Sequence, residues 1–413
     1  MITSSRRRRR TTVAVAALLV TATLSACAGP ASGQAAPDDA WSRSVGRLPH
    51  AASAWPSAQY DARHSSGTTA VGPQQGVVRW SRSLHGNLTP GPVIGVDGSI
   101  LVASNAGVLQ ALDPATGATR WSVDAGGSYG VDLSTSPTVL ADGTILWPGP
   151  RSTLWAISAT GQKRWSVRLR GQVLSPAAAG ADRVYVADTR GDLVALSVRG
   201  SSHRVAWRLA LGGQDDASPS VGPDGTIYTA SDHDLVAVRD GRTRGVVSWR
   251  FATRRLIEVS NGVSPAGIVV VGTNGDREYG VDRHGHAAWS IPIGDWTYSS
   301  SAVRPDGTAY FADNSGRVRA VDSRTGKVLR VQQPAAPKRE HAWSSVVVDA
   351  RGDTYWATQN GNVYGYGPDG RQLWTLHLDA GLDAYPALGA DGALYLGDEA
   401  GRFYAIGGGT PTG

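Results

Sequence analysis

The 413-residue chain is poor in charged residues (18%) and contains one cysteine, 52 glycines and 14 tryptophans. A single cysteine excludes an intramolecular disulfide and any metal site built from several thiolates. Abundant glycine and tryptophan with few charges argue against a helical bundle or a disordered chain and favour a turn-rich all-β fold. The formal net charge of +6 would suit an anionic partner, so its position along the chain matters.

The N-terminus has the layout of a secretory signal. Five arginines at residues 6–10 precede a short apolar stretch at residues 13–24, which is followed by Ser25, Ala26 and Cys27. The apolar stretch is shorter than the about 20 residues of a transmembrane helix. Leu24-Ser25-Ala26-Cys27 resembles the lipobox of bacterial lipoproteins, which implies cleavage before Cys27 and a diacylglycerol on its thiol. An ordinary signal peptide with an incidental cysteine is the alternative.

Removal of this predicted signal peptide, residues 1–26, changes the charge balance. It leaves 35 basic against 34 acidic side chains, a net charge of +1, so the electrostatic case for nucleic-acid binding disappears. Residues 27–54 are small, rich in proline and glycine and without periodicity, which is typical of a flexible tether. Two acyl chains would attach such a protein stably to a membrane. The arginine run leaves open whether export uses the general or the twin-arginine route.

Tryptophan recurs about every 42 residues from Trp80 onward, and a similar sequence surrounds each copy. Each copy lies in a short strand, which leads through a variable loop to a small-residue strand, an Asp-Gly turn such as Asp224-Gly225, and two further strands. Asp-Gly sequences suit hairpins because they tolerate positive φ. Four strands in about 42 residues are typical of a propeller blade. The recurring tryptophans are Trp80, Trp121, Trp165, Trp207, Trp249, Trp289 and Trp374.

Eight such positions predict an all-β, eight-bladed propeller over residues 55–407, with Val331 where an eighth tryptophan is expected. The first outer strand, near residues 77–84, precedes the first complete set of strands, and the last repeat ends at Ile406. We therefore expect this N-terminal strand to pair with the C-terminal blade, which closes the ring without an open edge. Residues 408–413 are predicted to be a tail.

The stretch from Gly107 to Trp121, GVLQALDPATGATRW, resembles the PQQ-type propeller repeat shared by quinoprotein dehydrogenases and BamB-like lipoproteins. Residues 322–329 and the lead-in at residues 55–67 match the same family, so the resemblance covers residues 55–407. It implies the propeller fold and, in that family, tryptophans docked between neighbouring blades. It does not identify a ligand, because the repeat is a structural signature.

A quinoprotein dehydrogenase would imply bound PQQ, a calcium ion held by acidic and amide side chains, a catalytic aspartate and often a disulfide. The mature chain has no cysteine for that disulfide and lacks the length of those enzymes. The pair His284 and His286 falls in a predicted turn and is interpreted as solvated. No catalytic group and no metal site are identified, and no cofactor is expected; PQQ with calcium is the alternative.

The loops that lead from each outer strand to the next inner strand carry aromatic and charged residues that the repeat does not require. Trp296 and Trp343 are out of phase with the 42-residue spacing, so docking between blades does not explain them. Packing against adjacent loops is one interpretation, and a face for a partner or ligand is the other. The candidate residues are Tyr129, Asp132, Asp215, Asp216, Glu258, Trp296, Tyr298, His341, Trp343, Asp383 and Tyr385.

The sequence thus favours an exported lipoprotein on the outer face of a cell membrane, anchored through Cys27. Its propeller is interpreted as a non-enzymatic scaffold that binds a protein or peptide of the cell envelope, as a monomer and without nucleic acid. A PQQ- and calcium-dependent oxidoreductase and a solute-sensing module are the alternatives. The identity of the partner, and whether the cell has an outer membrane, stay open.

Overall fold

The computed structural model describes residues 53–129, 135–174, 176–180, 183–199, 202–213, 217–275, 277–294, 296–334 and 340–407. All of them belong to the larger of two compact units, residues 40–413. The predicted signal peptide, Cys27, nearly all of the predicted tether and the tail at 408–413 lie outside the described residues. The described part of the chain includes no helix that is long and apolar enough to cross a membrane.

The described residues form eight four-stranded antiparallel sheets arranged in a ring, which confirms the predicted eight-bladed propeller. Blades 1 to 4 comprise β2 (Val93–Ile94), β3 (Ile100–Ala103), β4 (Val108–Leu112) and β5 (Thr119–Asp124); β6 (Thr138–Val139), β7 (Ile145–Gly149), β8 (Thr153–Ile157) and β9 (Lys163–Arg168); β10 (Ala178–Ala179), β11 (Val184–Ala187), β12 (Asp192–Arg199) and β13 (Ser202–Ala210); β14 (Ser220–Val221), β15 (Ile227–Ser231), β16 (Asp234–Asp240) and β17 (Gly245–Ala252).

Blades 5 to 8 repeat the same order from inner to outer strand. They comprise β18 (Gly262–Val263), β19 (Val269–Gly272), β20 (Arg277–Val281) and β21 (Ala287–Pro292); β22 (Ala302–Val303), β23 (Thr308–Ala312), β24 (Val318–Asp322) and β25 (Val328–Gln332); β26 (Val347–Val348), β27 (Thr354–Ala357), β28 (Asn362–Tyr366) and β29 (Gln372–His377); β30 (Ala387–Leu388), β31 (Leu394–Gly397) and β32 (Arg402–Ile406) with β1 (Val78–Ser83).

Blade 8 closes the ring with strands from both ends of the described chain. The N-terminal strand β1 pairs antiparallel with the C-terminal strand β32, and Trp80 lies opposite Ala405. This is the closure that the repeat order predicts. It joins the two ends of the repeat array through a ladder of hydrogen bonds, so no blade is left with an incomplete sheet.

The recurring tryptophans on the outer strands contact the blade that follows. The indole N–H of Trp121 in blade 1 donates to Ala159 O of blade 2 at 2.9 Å. Trp80, Trp249, Trp289 and Trp374 make the same kind of bond to a backbone carbonyl, and Trp207 donates to the Asp240 carboxylate. Trp165 instead stacks on His203, with ring centroids 4.2 Å apart. Most of these contacts cover the turn between the third and fourth strands of the next blade, whereas Trp165 contacts the beginning of β13 and Trp374 the lead-in at Pro73.

Blade 6 departs from the sequence prediction by one residue. Ala320 pairs with Arg330, as Ala111 pairs with Trp121 in blade 1, so Arg330 and not Val331 occupies the tryptophan position. The same one-residue register shift accompanies this pair in all eight blades, so it is not the cause of the difference. Arg330 follows Trp289 by 41 residues, and the spacing between recurring tryptophans varies from 40 to 44, so counting by the mean of 42 places the position one residue too late. The Arg330 side chain covers the next turn as a tryptophan would: a Cβ on Gly370 would lie 2.7 Å from its Cδ.

The lead-in before β1 runs across the inner strands at the end of the ring that carries the Asp-Gly hairpins. Its carbonyls accept hydrogen bonds from the second residue of the inner strand in six of the eight blades, counting described residues only. The pairs are Ile94 N to Trp55 O, Val139 N to Pro56 O, Val221 N to Ala62 O, Val263 N to Arg63 O, Val303 N to Ser65 O and Val348 N to Ser66 O. The segment is therefore an integral part of the propeller, and Trp55 within it is fully buried.

Candidate binding face

The loops that lead from each outer strand to the next inner strand lie at the opposite end of the ring from the lead-in. We call this end the loop face; the hairpins between the second and third strands of each blade lie on the same side. Loops on a rigid scaffold are favoured positions for binding groups. Among the described residues, the loops of blades 5 to 7 bring aromatic side chains together.

Trp296, Tyr298 and Trp343 form one aromatic cluster on the loop face. The Tyr298 ring centroid lies 4.9 Å from that of Trp296 and 5.0 Å from that of Trp343, with interplanar angles of 71° in both pairs. The two tryptophan rings are 6.4 Å apart. Edge-to-face arrangements at such distances are favourable. All three side chains are partly exposed, so the rings pack against each other and still face solvent.

Asn314 joins the two loops of the cluster through its backbone. It lies in the hairpin of blade 6, between β23 and β24, and its N–H donates to Trp296 O at 3.0 Å. Its carbonyl accepts from the His341 N–H at 3.1 Å, and His341 O in turn accepts from the Gln359 N–H at 3.2 Å. A chain of backbone hydrogen bonds therefore runs along this part of the loop face and fixes the aromatic loops relative to each other.

The side chain of Asn314 orients two further rings. Its Oδ1 accepts from Trp343 Nε1 at 3.2 Å and lies 2.9 Å from His341 Nδ1. An indole N–H can only donate, so the amide atom that faces Trp343 is the oxygen. The same oxygen requires a proton on His341 Nδ1. Neutral His341 therefore presents Nε2 as a hydrogen-bond acceptor.

His341 adopts a left-handed backbone conformation, with φ of 46°. Such a conformation is uncommon for a residue other than glycine and costs of order 1 kcal/mol or more. The surrounding hydrogen bonds maintain it, because His341 is held at its N–H by Asn314, and at its carbonyl by the N–H groups of Trp343 and Gln359. In this conformation the imidazole lies beside Asn314 and Trp343.

A carboxylate and an amide lie at the hydroxyl end of Tyr298. The hydroxyl is within hydrogen-bonding reach of the Asn274 and Glu258 side chains, and burial, together with the Glu258 charge, raises the pKa of Tyr298. Asn274 Nδ2 also donates to Glu258 Oε2. The cluster thus has an aromatic part and an acidic end.

A second carboxyl group, that of Glu278, is buried in the blade beneath this region. Glu278 is on β20 opposite Gly272, at the position that Leu109 occupies in blade 1, and it is fully buried. Ser301 Oγ donates to its Oε1 at 2.6 Å, while Oε2 has no hydrogen-bond partner among the described residues. Burial raises the pKa of Glu278 to about 8, which keeps the group mostly protonated at neutral pH.

Most of the repeat region matches a known protein-family model. The family model described as outer membrane protein assembly factor BamB matches residues 64–205 and 201–364. This chain belongs to the BamB family. No curated protein sequence matches it significantly.

Solved structures confirm the fold shared by this BamB-family chain. BamB from Moraxella catarrhalis is 16% identical with a TM-score of 0.64, covering 80% of this chain and 99% of that one. Quinohemoprotein alcohol dehydrogenase from Comamonas testosteroni is 13% identical with a TM-score of 0.66, covering 87% and 81%. The computationally designed Ika8 protein is 11% identical with a TM-score of 0.67, covering 81% and 99%. A fold shared by an assembly factor, an enzyme and a designed protein does not by itself assign an activity.

The structure of this BamB-family chain groups Glu258, Trp296, Tyr298, His341 and Trp343 of the sequence-predicted residues into one region. Tyr129 is instead buried, at 7% exposure, because its hydroxyl donates to Pro148 O beneath the surface. Asp132, Asp215 and Asp216 lie outside the described residues.

The two remaining candidates, Asp383 and Tyr385, lie in the loop that leads into blade 8. Tyr385 is partly exposed, and its hydroxyl interacts with Ser300, which precedes the inner strand of blade 6, two blades away. Asp383 accepts a hydrogen bond of 3.4 Å from Gln359 Nε2, and the backbone N–H of the same Gln359 donates to His341 O.

Asn314 and Asn274 are functional candidates that the sequence alone does not single out. Asn314 belongs to an Asn-Ser-Gly turn, and turn chemistry fully accounts for an asparagine there. Its role depends on two loops that are distant in sequence, and only the circular order of the blades brings them to it.

The surroundings of the aromatic cluster do not fit PQQ. The described residues contain no group of three or more histidine, cysteine, aspartate or glutamate side chains that could hold a metal ion. PQQ is a polycarboxylate and requires cations or a bridging metal, whereas the charged group in contact with the aromatic cluster is Glu258. Arg319, the buried cation of blade 6, is engaged with Asp313 at 2.5 Å and with Ile293 O at 2.9 Å.

Proposed function

We propose that this chain is an exported, lipid-anchored scaffold of the cell envelope, without enzymatic activity, which binds a segment of another envelope protein on its loop face. Membership of the BamB family supports an envelope protein whose propeller acts by association. The lipobox-like sequence at Cys27 supports the anchor. The cluster of Trp296, Tyr298 and Trp343 supports the position of the binding site.

The observation that carries the proposal is the partial exposure of two tryptophans that the propeller repeat does not use. The repeat places its tryptophans on outer strands, where they cover the next blade. Trp296 and Trp343 lie in loops and pack on each other and on Tyr298. Tryptophan and tyrosine dominate binding energy at protein interfaces, above all where they are held rigidly.

The test of the site is capture from envelope extracts of the source cell, with the tagged full-length protein and the double variant Trp296→Ala/Trp343→Ala. We expect the double variant to lose the captured partner at least tenfold while its melting temperature stays within a few degrees. Trp155→Ala is the matched control, since Trp155 is a partly exposed tryptophan on β8 of blade 2, where its ring lies under Lys163 Nζ, and blade 2 adjoins none of blades 5 to 7. Equal capture by the double variant and the control would place the partner elsewhere.

The test of the anchor is the variant Cys27→Ala. The wild-type protein should partition with membranes and carry the mass of a diacylglycerol on its first residue. Cys27→Ala should abolish both. A wild-type protein that is secreted without lipid would refute the anchor and leave the loop-face site untouched.

The test of the non-enzymatic role is addition of PQQ and calcium to the purified protein. Because the described residues around the cluster do not suit a polycarboxylate, we expect no saturable binding by calorimetry and no dye-coupled oxidation of alcohols or sugars. Tight, stoichiometric PQQ binding with turnover would replace the scaffold by an oxidoreductase.

A further inference from the structure

We infer that the aromatic cluster recognises an arginine side chain of the partner segment, with its guanidinium on the rings and its N–H groups directed to acceptors around them. This inference rests on the proposed function and specifies the chemistry of the partner. It follows from the orientation of the rings, the hydrogen-bonding character of the surrounding groups and the charge at one end of the cluster.

The three rings are inclined to each other and not stacked. Tyr298 meets both tryptophans at 71°, and the tryptophans meet at 58°. Rings at such angles present aromatic faces in more than one direction. The face of an aromatic ring carries negative electrostatic potential, and tryptophan attracts cations most strongly. The cluster therefore favours a cationic or polarised planar group over an anion.

The polar groups around the rings offer acceptors. The bond from Trp343 to Asn314 places the proton of neutral His341 on Nδ1, which leaves Nε2 to accept. Glu258 supplies a carboxylate at the hydroxyl end of Tyr298. A ligand that satisfies these groups must donate hydrogen bonds in several directions at once. Guanidinium has five donors in a plane that also stacks on aromatic faces, whereas an ammonium group is a compact point charge.

Positive charge is also present on the loop that carries Glu258. Arg254 and Arg255 are both exposed, and the side chain of Arg255 packs against Gly275. These arginines reduce the long-range attraction for a cation, so selectivity must come from short-range contacts with the rings and with Glu258. Binding should therefore depend on Glu258 itself and only weakly on salt.

The experiment compares two blocked peptides that differ in one group: a glycine peptide with a central arginine, and the same peptide with citrulline, which is neutral and nearly isosteric. The protein carries 5-fluorotryptophan, and the resonances of Trp296 and Trp343 are assigned with the variants Trp296→Phe and Trp343→Phe. We expect both resonances to shift on titration with the arginine peptide, with at least tenfold tighter binding than for citrulline. A lysine peptide should bind more weakly than the arginine peptide.

Glu258→Gln should weaken binding of the arginine peptide about threefold to tenfold, while Trp155→Ala in blade 2 should leave it unchanged. Equal affinity for arginine and citrulline peptides, or tighter binding of lysine, would overturn the inference. The outcome is separable from that of the proposed function. If the double tryptophan variant loses its partner but the peptides do not differ, the partner site stands and only the arginine assignment fails.

Discussion

Trp343 donates its indole N–H to Oδ1 of Asn314 at 3.2 Å. This bond identifies the amide oxygen and thereby fixes the tautomer of neutral His341, whose Nδ1 donates to the same oxygen. Trp343 and Asn314 come from different loops, 29 positions apart in sequence. Asn314 is only 2% exposed, so its amide acts as a fixed internal acceptor and not as a solvated turn residue. The partly exposed rings of Trp343 and His341 are therefore anchored by a buried side chain.

Asn314→Ala should release this support. Loss of a buried hydrogen-bonding group costs about 1–3 kcal/mol, which urea unfolding would measure. The indole N–H of Trp343 should also exchange faster with solvent, as followed by NMR. Asn314→Asp retains the acceptor oxygen and is the control for exchange. Unchanged exchange in Asn314→Ala would show that ring packing alone holds Trp343.

The register of blade 6 can be tested by placing a tryptophan at either of two adjacent positions. Arg330 lies opposite Ala320, at the position of the docking tryptophans, so Arg330→Trp should cover the turn at Gly370 and raise the melting temperature. Val331→Trp should give no such gain, because Val331 is 47% exposed and lies outside the docking position. A stabilising Val331→Trp with a destabilising Arg330→Trp would contradict the register.

Glu278→Leu should stabilise the protein increasingly as pH rises. The folded state holds the Glu278 pKa near 8, above its ordinary value of 4.5, so the folded carboxyl retains a proton that the unfolded chain releases. The free energy of unfolding of the wild type therefore falls between pH 4.5 and about 8. Leucine occupies this position in blade 1 and should remove the effect. Melting temperatures of both proteins at pH 5 and pH 8.5 would show whether the gain grows with pH.

His64 should have the opposite dependence on pH. It is buried in the lead-in with Nδ1 3.0 Å from Asn261 O, and burial lowers its pKa to about 4 from 6.5. The folded state therefore binds fewer protons than the unfolded chain, and the free energy of unfolding falls as pH decreases from about 6.5 to 4. His64→Asn, which tolerates the left-handed conformation at φ of 57°, should flatten this part of the profile. An unchanged acid profile in urea unfolding would assign the acid sensitivity to other groups.

The repeat alone was sufficient to predict the blades. Tryptophan spacing, Asp-Gly turns and short apolar runs are local features, and each strand pairs mainly with its neighbours in sequence, so periodicity determines the architecture. The closure of β1 on β32 also follows from the repeat, since an incomplete first repeat and an incomplete last repeat together make one blade.

The sequence does not predict the positions of individual side chains as well as it predicts the blades. Counting by the mean period places Val331 at the tryptophan position, whereas Arg330 occupies it, because the repeats vary in length by a few residues. The sequence places Tyr129 on the partner face because it lies in a loop. Its burial depends on the hydrogen bond from its hydroxyl to Pro148 O, which the sequence does not reveal. The burial of Glu278 cannot be predicted from the sequence, because it depends on a register that alternates by single residues.

The amino-acid sequence by itself determined the number of blades and their closure, because these depend on local patterns and their period; the signal at the N-terminus stays a prediction. Only the tertiary structure decided which side chains share a surface. Trp296, Asn314 and Trp343 meet because consecutive blades stack around a ring, and the proton on His341 follows from a hydrogen bond between loops. Such contacts join positions that are distant in sequence and do not follow the repeat, so the sequence pattern cannot predict them.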